Sequence, residues 1–483
     1  MTTIDHDRTA VRSGYLDGPY RPIHEEHTVD DLTVVAGAVP ADLDGLFVRN
    51  GSNPAFEPRG RYHWFDGDGM LHGVRFDGGR ASYRNRWVRT AGLAADQEAG
   101  EARLGGILER PDFSVPGGPF KDTGNTDLVV HGNKLYALWW LSGQAHEISL
   151  PSLETVGVTD FDGTLTTSIN AHPKVDPDTG EMLFTSYSML PPYLTFGVID
   201  PDGRVVHNEA VDLPGPRLQH DLAITPRFSV LFDMSLQWDP DQLARGRTHV
   251  RFYRDVNSRI GLAPRFGTGD EVQWFEVSPF FMYHVVNAWE EGDEVVLIGC
   301  RMAEPLADDP DNVASNDGVP ILAQLRLEPV LWEWRLDRST GVATERAIDG
   351  TLAEFPRIND AWLGRRNRWS YSPTFAAMPT LAFDGLVRHD LTDGSTVDYR
   401  YPEGWLGGEA VFAPSTDPDR TDEADGYLIT LVTEAATGRS EAQVFDARDL
   451  PAGPVVRLEI PVRVPIGYHT EWVPASAWAG SDG

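Results

Sequence analysis

Four histidines stand far apart in the chain, each within a short segment of distinctive composition. They are His172 in Asn-Ala-His-Pro-Lys, His220 in Gln-His-Asp-Leu-Ala, His284 in Tyr-His-Val-Val-Asn and His469 in Gly-Tyr-His-Thr. Neutral imidazole is the commonest metal ligand among protein side chains, and four converging imidazoles suit iron, copper, nickel or zinc better than magnesium or calcium. A single histidine is more often structural, so the hypothesis of a metal site depends on a fold that brings the four together.

The elements that must position these histidines are strands. Short runs such as Leu-Tyr-Ala-Leu-Trp-Trp and Tyr-Leu-Ile-Thr-Leu-Val are rich in β-branched and aromatic residues and end at turn formers, which is typical of β-strands. Similar turns join the runs at 176–180, 200–203, 337–341 and 390–394. In each of them Asp begins the turn and Gly supplies a positive φ.

Many hairpins along the whole chain predict an all-β fold. The 483 residues include 47 Gly and 35 Pro, which form turns between the strands. This pattern favours a radial array such as a β-propeller. In such an array the histidines would come from equivalent strands of different blades. Two β-sandwich domains are the alternative, but no linker-like segment separates two domains.

We expect one propeller domain at residues 26–483, preceded by an N-terminal arm at 1–25 that lies on the surface. On a propeller, insertions commonly build a cap over one face. The irregular stretches that we expect to form loops or such a cap lie near 90–125, 185–195, 235–270 and 300–325.

The charge balance and the cysteine content exclude some functions. Asp and Glu number 73 against 41 Lys and Arg, and a formal net charge of −32 repels phosphate backbones, so no nucleic-acid partner is expected. The single cysteine, Cys300, lies in an apolar run and predicts a small buried hydrophobe in a reducing, cytoplasmic compartment. Neither a signal-peptide pattern nor a run of ~20 apolar residues is found, so we expect a soluble protein.

Six segments, in order along the chain, share the composition of one known family. They are Gly45–Pro54, His63–His72, Asn170–Glu181, His220–Thr225, His284–Glu290 and Arg463–His469. Together they resemble the carotenoid cleavage oxygenases. The resemblance implies a seven-bladed β-propeller with a cap of loops and helices over the metal-bearing face. It also implies Fe(II) on the propeller axis, held by His172, His220, His284 and His469.

Four neutral imidazoles would leave the charge of a metal ion uncompensated among its direct ligands. Carboxylates that accept hydrogen bonds from the distal ring N–H groups would offset that charge and fix the ring orientations. The resemblance points to Glu147 in Ala-His-Glu-Ile, Glu354 in Glu-Phe-Pro-Arg and Glu409 in Gly-Gly-Glu-Ala for this role.

The family's reaction is the cleavage by O₂ of a carbon–carbon double bond in a conjugated chain, which yields two carbonyl products. The resemblance therefore implies an Fe(II)-dependent dioxygenase that acts on a carotenoid or apocarotenoid. An aryl-alkene of the stilbene, isoeugenol or vinylphenol type is the alternative substrate class. A non-catalytic propeller that serves as a binding module is the alternative from a different class.

A hydrophobic substrate needs an aromatic and aliphatic lining. The residues that we expect to bind it are Phe65, Leu108, Trp139, Tyr193, Phe281 and Tyr283. Further candidates for the lining are Trp140, Leu190, Phe196 and Phe280.

The lignostilbene branch of the family binds the substrate's phenol with a Tyr and a Lys. Those two positions correspond here to Leu108 and Trp139, whereas Phe65 retains a Phe that accompanies them. Because a buried hydroxyl without a partner costs about 1–3 kcal/mol, phenol-directed stilbene cleavage in that manner is disfavoured unless another polar group substitutes.

Carotenoids partition into membranes, so a carotenoid enzyme should expose an apolar patch near its tunnel mouth. The loop Met189–Phe196 is the candidate for peripheral membrane contact. Burial of this loop would favour the aryl-alkene alternative. We expect a monomer or a homodimer.

Overall fold

Seven antiparallel sheets surround one axis and form a β-propeller, in a computed structural model that describes residues 14–246, 249–305, 319–320 and 328–478. We number the sheets as blades 1 to 7 in chain order. The seven-bladed all-β propeller is thus confirmed.

The strands of the blades have the following bounds. Blade 1 contains Thr28–Val29, Gly45–Arg49, Met70–Asp77, Arg80–Trp87 and Thr470–Pro474; blade 2 contains Asp127–His131, Lys134–Leu138, Ala145–Ile148 and Thr155–Thr159. Blade 3 contains Lys174–Val175, Met182–Tyr187, Leu194–Ile199 and Val205–Val211; blade 4 contains Ala223–Ile224, Phe228–Asp233, Ser258–Pro264 and Gln273–Val277. Blade 5 contains Phe281–Glu291, Glu294–Met302, Val330–Asp337 and Val342–Leu352; blade 6 contains Trp369–Phe375, Phe383–Asp390 and Thr396–Arg400. Blade 7 contains Thr33–Gly37, Trp405–Leu406, Val411–Pro414, Gly426–Glu434, Ser440–Asp446 and Pro454–Ile460.

The two ends of the propeller domain close the ring through hydrogen bonds. Strand Thr470–Pro474 pairs with Gly45–Arg49 in blade 1, and strand Thr33–Gly37 pairs with Pro454–Ile460 in blade 7. Such closure protects the sheet edges that an open array would expose. It also brings His469, which directly precedes Thr470, to the axis from the far end of the chain.

The core lies between the blades, where the middle strands are covered on both faces. Strands Met182–Tyr187 and Leu194–Ile199 are buried at every position, so they show no alternation of buried and exposed residues. The outermost strand of blade 2, Thr155–Thr159, alternates instead and turns Val156 and Val158 to solvent. Cys300 is buried within blade 5, as expected.

In the described part of the chain, two short helices and a small sheet interrupt the propeller. Helix Ala91–Ala99 is capped at both ends. Thr90 is the N-cap, and its hydroxyl accepts from Leu93 N; Gly100 is the C-cap, with a φ of 71°. Helix Pro240–Ala244 lies in an insertion of blade 4. The small sheet consists of Leu236–Trp238, His249–Phe252 and Val319–Pro320. Single 3-10 turns occur at Gly14–Leu16, Gly18–Tyr20, Trp64–Asp66, Gly269–Glu271, Asp360–Trp362, Leu450–Ala452 and Ala475–Ala477.

One expectation about irregular segments needs correction. The stretch 235–270 contains a blade strand, Ser258–Pro264, because its apolar residues pair with Phe228–Asp233. In the proposed arm, Leu16 and Tyr20 are buried, whereas the other residues of 14–20 are exposed or half-exposed. Most of 300–325, and residues 1–13 of the proposed arm, lie outside the described residues. Within the described ranges, no helix is long and apolar enough to cross a membrane.

Candidate metal centre

The four histidines meet on the propeller axis because each stands at the start of the innermost strand of its blade. His469 precedes the inner strand of blade 1, His172 that of blade 3 and His220 that of blade 4, and His284 lies near the start of the inner strand of blade 5. Inner strands of neighbouring blades run parallel, as the bridge between His172 and Asp221 shows. Equivalent positions on different blades therefore converge.

The ring nitrogens are spaced as ligands of one ion would be. His172 Nε2 lies 3.0 Å from His220 Nε2, which lies 3.2 Å from His284 Nε2. One ligand atom from each of the four buried histidines falls within 4.8 Å of the others. Two nitrogens bound ~2.1 Å from one ion at a right angle would be ~3.0 Å apart. The donor set and the spacing fit a transition-metal ion.

Three of the four rings donate their Nδ1–H to a buried carboxylate. His172 bonds Asp127 at 2.6 Å, His469 bonds Glu409 at 2.8 Å and His284 bonds Glu354. Each carboxylate comes from the inner edge of a blade that contributes no histidine: Asp127 from blade 2, Glu354 from blade 6 and Glu409 from blade 7. All seven blades thus contribute one residue to the centre.

Glu147 does not have the role that the resemblance assigned to it. It lies in Ala145–Ile148, the third strand of blade 2, and forms an ion pair with Lys134 at 3.0 Å. The third strand of a blade is remote from the axis, so its side chains do not reach the histidines. The carboxylate from blade 2 is Asp127 instead, and the sequence signal for it was an acidic residue that opens the apolar run Leu-Val-Val.

Burial sets the protonation of the cluster. Burial and the neighbouring imidazoles hold the pKa of His172 and that of His220 well below the ordinary value, so both rings are neutral at neutral pH. Burial also lowers the pKa of His284, but Glu354 more than offsets this and the pKa is raised. Burial raises the pKa of the Glu409 carboxyl, but His469 and Arg357 overcome it and hold the pKa at about 2.

Carboxylates outnumber the cationic side chains around the histidines. Lys174 bonds Asp221 at 2.6 Å, and Arg357 lies 3.7 Å from Glu409. The buried carboxylates near these two cations are those of Asp127, Asp221, Glu354 and Glu409. Arg357 also lies 3.9 Å from Glu471, so carboxylates outnumber these two cations around the histidines. This excess of negative charge favours a cation among the four rings.

A cavity of about 350 Å³ opens over the histidines, within the usual range for small-molecule sites. Its floor includes His220, His284 and His469. The other lining residues are Tyr15, Tyr62, His63, Trp64, Phe65, Leu108, Thr126, Tyr283, Glu354, Phe355, Pro379, Leu381 and Tyr468. The lining is mostly aromatic and aliphatic, and it suits an apolar ligand.

Three of the six residues expected to bind substrate line this cavity: Phe65, Leu108 and Tyr283. Phe281 is fully buried and packs edge-on against Tyr283, with ring centroids 4.9 Å apart. Trp139 lines a neighbouring cleft that shares Phe65 with the cavity. Tyr193 packs beside the second core strand of blade 3.

The further candidates lie elsewhere. Trp140, Phe196 and Phe280 are core residues that are completely buried, whereas Leu190 is 72% exposed. An apolar side chain can either pack in the core or line a ligand cavity, and the sequence did not distinguish the two. Three of these four residues pack in the core.

Several lining residues were not predicted from the sequence. Tyr15 stacks on Trp64, with ring centroids 5.4 Å apart and an interplanar angle of 8°, although it belongs to the segment expected to be a surface arm. Phe355 lies against His284 and His469 and has a φ of 48°, a conformation that costs a non-glycine residue ~1–3 kcal/mol. Its N–H donates to Glu354 at 2.7 Å. The signal for Phe355 was its place directly after a carboxylate of the centre.

A 3-10 turn positions the residues on one wall. Trp64–Asp66 is capped by His63, whose Nδ1 accepts from Phe65 N at 3.1 Å, while Asp66 accepts from His63 N at 2.9 Å. Asp66 also accepts from Ile107 N at 2.9 Å, which ties the turn to the segment carrying Leu108. This capping box fixes the aromatic side chains of the His-Trp-Phe-Asp motif toward the cavity.

The fold and the site together define a β-propeller with a buried four-histidine centre on its axis. The chain belongs to the carotenoid cleavage oxygenase family: a sequence model of the family, described as RPE65, retinal pigment epithelial membrane protein, matches residues 20–474.

Relatives and solved structures agree with this assignment. The chain is 35% identical over 95% of its length to carotenoid 9,10(9',10')-cleavage dioxygenase 1 of Phaseolus vulgaris, of which it covers 89%. It is 30% identical to a carotenoid cleavage oxygenase of Mycobacterium tuberculosis, covering 96% of this chain and 98% of that protein. The structure of Pseudomonas brassicacearum lignostilbene dioxygenase matches with a TM-score of 0.85 at 28% identity over 96% of this chain and 99% of the other. Cobalt-substituted Synechocystis ACO matches with a TM-score of 0.79 at 26% identity, covering 94% and 97% respectively.

Proposed function

We propose that this protein is a non-heme Fe(II) dioxygenase that cleaves a carbon–carbon double bond of a carotenoid or apocarotenoid into two carbonyl products. The observation that carries the proposal is the four-histidine centre at the floor of an apolar cavity. Carotenoid-cleaving relatives at 35% identity support the choice of substrate class.

The protein's own part in such a reaction is to bind, orient and exclude water. Bound Fe(II), held by His172, His220, His284 and His469, would supply the activation of dioxygen. The rings of Phe65 and Phe355 line the cavity together with three of these histidines and would hold a conjugated chain in a dry site beside them. Asp127, Glu354 and Glu409 would hold the imidazoles in the orientation that presents Nε2.

A second substrate class, the aryl-alkenes, is favoured by one observation. The Tyr283 ring lies 4.8 Å from that of His220, and its hydroxyl bonds no residue in the described part of the chain. This hydroxyl could serve a phenolic substrate in place of the Tyr and Lys that Leu108 and Trp139 replace. The likeness to lignostilbene dioxygenase points the same way.

Membrane contact and compartment are further parts of the proposal. Leu190 is 72% exposed next to two exposed prolines, and Met378, 42% exposed, precedes Pro379 of the cavity lining. These apolar residues support peripheral contact with a membrane that holds the substrate. The single buried cysteine supports a reducing, cytoplasmic compartment. A monomer or homodimer would suffice, because all seven groups of the centre come from one chain.

The test combines metal analysis with product identification. Protein purified anaerobically should contain stoichiometric iron, and aerobic incubation with carotenoids, apocarotenoids, stilbenes and vinylphenols should release aldehydes or ketones from one class. A binding module would turn over none of them. Protein that neither carries nor takes up iron would contradict the enzymatic proposal.

A further inference from the structure

His220 differs from the other three histidines in how it is held. Its Nδ1 is buried and finds no hydrogen-bond partner among the described residues, whereas the other three rings each bond a carboxylate. Its backbone carbonyl accepts from Asn170 Nδ2 at 2.6 Å. The position of His220 is therefore determined through its main chain rather than through its ring.

Asp221, the next residue, joins three histidine-bearing segments. Its Oδ1 accepts from Leu222 N at 2.7 Å and from Lys174 Nζ at 2.6 Å, and its Oδ2 accepts from Val285 N at 2.8 Å. Lys174 lies two residues after His172 in blade 3, and Val285 directly follows His284 in blade 5. The Asp221 side chain is 3% exposed, so these bonds are shielded from water and strengthened.

We infer that Asp221 is a positioning residue that sets His172, His220 and His284 in register for one metal ion. Asp127, Glu354 and Glu409 each hold one ring, whereas Asp221 holds the main chain beside His220 and His284 and the Lys174 side chain beside His172. The inference rests on the proposed function, since it assumes that the histidines bind a metal. Loss of an outer partner of this kind typically costs ~10–100-fold in metal affinity.

Two simpler roles of Asp221 would also make its removal lower the metal affinity, and the experiment must distinguish them from positioning. Asp221 could merely contribute negative charge, which favours any cation nearby. It could also merely stabilise the propeller, as a buried ion pair between blades. A matched control for the second role is Asp176, which bonds Arg265 at 2.7 Å and likewise links blades 3 and 4 through buried side chains.

The experiment uses Co²⁺ as the probe, added to metal-free full-length protein. The dissociation constant is measured by competition with a chelator, the ligand field by the visible cobalt spectrum, and stability by chemical unfolding of the metal-free form. We expect Asp221→Asn to raise the dissociation constant ~10–100-fold and to alter the cobalt spectrum. Asp176→Asn should lower stability and leave both metal readouts unchanged.

The double variant Lys174→Met with Asp221→Asn decides between charge and position, because it removes one charge of each sign. It also leaves no buried charge unpaired, so it remains informative if Asp221→Asn alone does not fold. Positioning predicts that its cobalt binding stays weak and its spectrum stays altered. Recovery of both to wild-type values would overturn the inference, as would wild-type behaviour of Asp221→Asn. Wild-type protein that binds no Co²⁺ or Fe²⁺ would overturn the proposed function as well.

Discussion

Asp127→Asn should weaken metal binding while leaving the propeller folded. The variant keeps the side-chain volume and one oxygen, which can still accept from Leu128 N, now bonded at 2.8 Å. It places an amide nitrogen or a neutral oxygen opposite His172 Nδ1, where the wild-type protein has a carboxylate at 2.6 Å. The bond that fixes the His172 ring would be lost or weakened.

The size of the effect follows from the kind of bond. A buried hydrogen bond to a charged group contributes about 1.5–3 kcal/mol, which corresponds to ~10–150-fold in an equilibrium constant. Independently, mutation of the residues that hydrogen-bond metal ligands typically lowers metal affinity ~10–100-fold. We therefore expect a 10- to 100-fold rise in the dissociation constant for Co²⁺ or Fe²⁺ (on the order of 2 kcal/mol).

Glu147→Gln is the matched control for this prediction. Glu147 lies in the same blade and was assigned the same role by the family resemblance, but its ion pair is with Lys134, a half-exposed side chain. A surface pair contributes about 0–1 kcal/mol, so metal affinity should not change. Chelator competition measures both variants. Wild-type affinity in Asp127→Asn, or an equal loss in Glu147→Gln, would refute the assignment of the blade 2 carboxylate.

Three other outcomes follow from the structure. His220→Ala removes one of the four proposed metal ligands and should abolish metal retention through dialysis, as measured by elemental analysis; a stoichiometric metal content would contradict its role. Glu409, whose pKa is held at about 2 against an ordinary 4.5, should stabilise the metal-free protein above pH ~4.5, and this contribution of ~3 kcal/mol should be lost as the pH falls toward 2. Glu409→Gln should therefore flatten the acid side of the unfolding curve measured in urea, and an unchanged slope would contradict this. Tyr283→Phe should raise KM ~5-fold for a phenolic aryl-alkene, from loss of a bond of ~1 kcal/mol, and should leave KM for a hydrocarbon carotene unchanged.

The sequence identified the four histidines because their flanking segments match a family in order, and the structure places all four at one point on the axis. The same reasoning located Glu354 and Glu409 beside His284 and His469. It failed at blade 2, where the family resemblance led to Glu147. Assignment of a carboxylate to a ring requires knowing which strand is innermost, and strand order within a blade cannot be read from hydrophobic periodicity.

The cavity lining was harder to predict for a related reason. Aromatic residues pack between blades and line the cavity with equal ease, so composition could not distinguish Phe65 from Phe280. The place of Tyr15 in the lining could not be predicted, because its contact with Trp64 joins two segments that share no sequence pattern. Contacts of this kind depend on the path of the chain over the finished propeller, not on local preference.

The radial fold explains why one chain can build this centre without any short ligand motif. Each innermost strand begins near the axis, so a blade contributes one residue to the centre whatever the sequence distance to the next. Four blades present imidazoles and three present carboxylates, and each carboxylate bonds a ring from a different blade. Three of the four proposed metal ligands are thereby tied to neighbouring blades rather than to residues nearby in the chain. Because His469 enters with the strand that closes blade 1, the four-histidine set is complete only when the ring is closed, and binding of a metal should stabilise the closed ring by mass action.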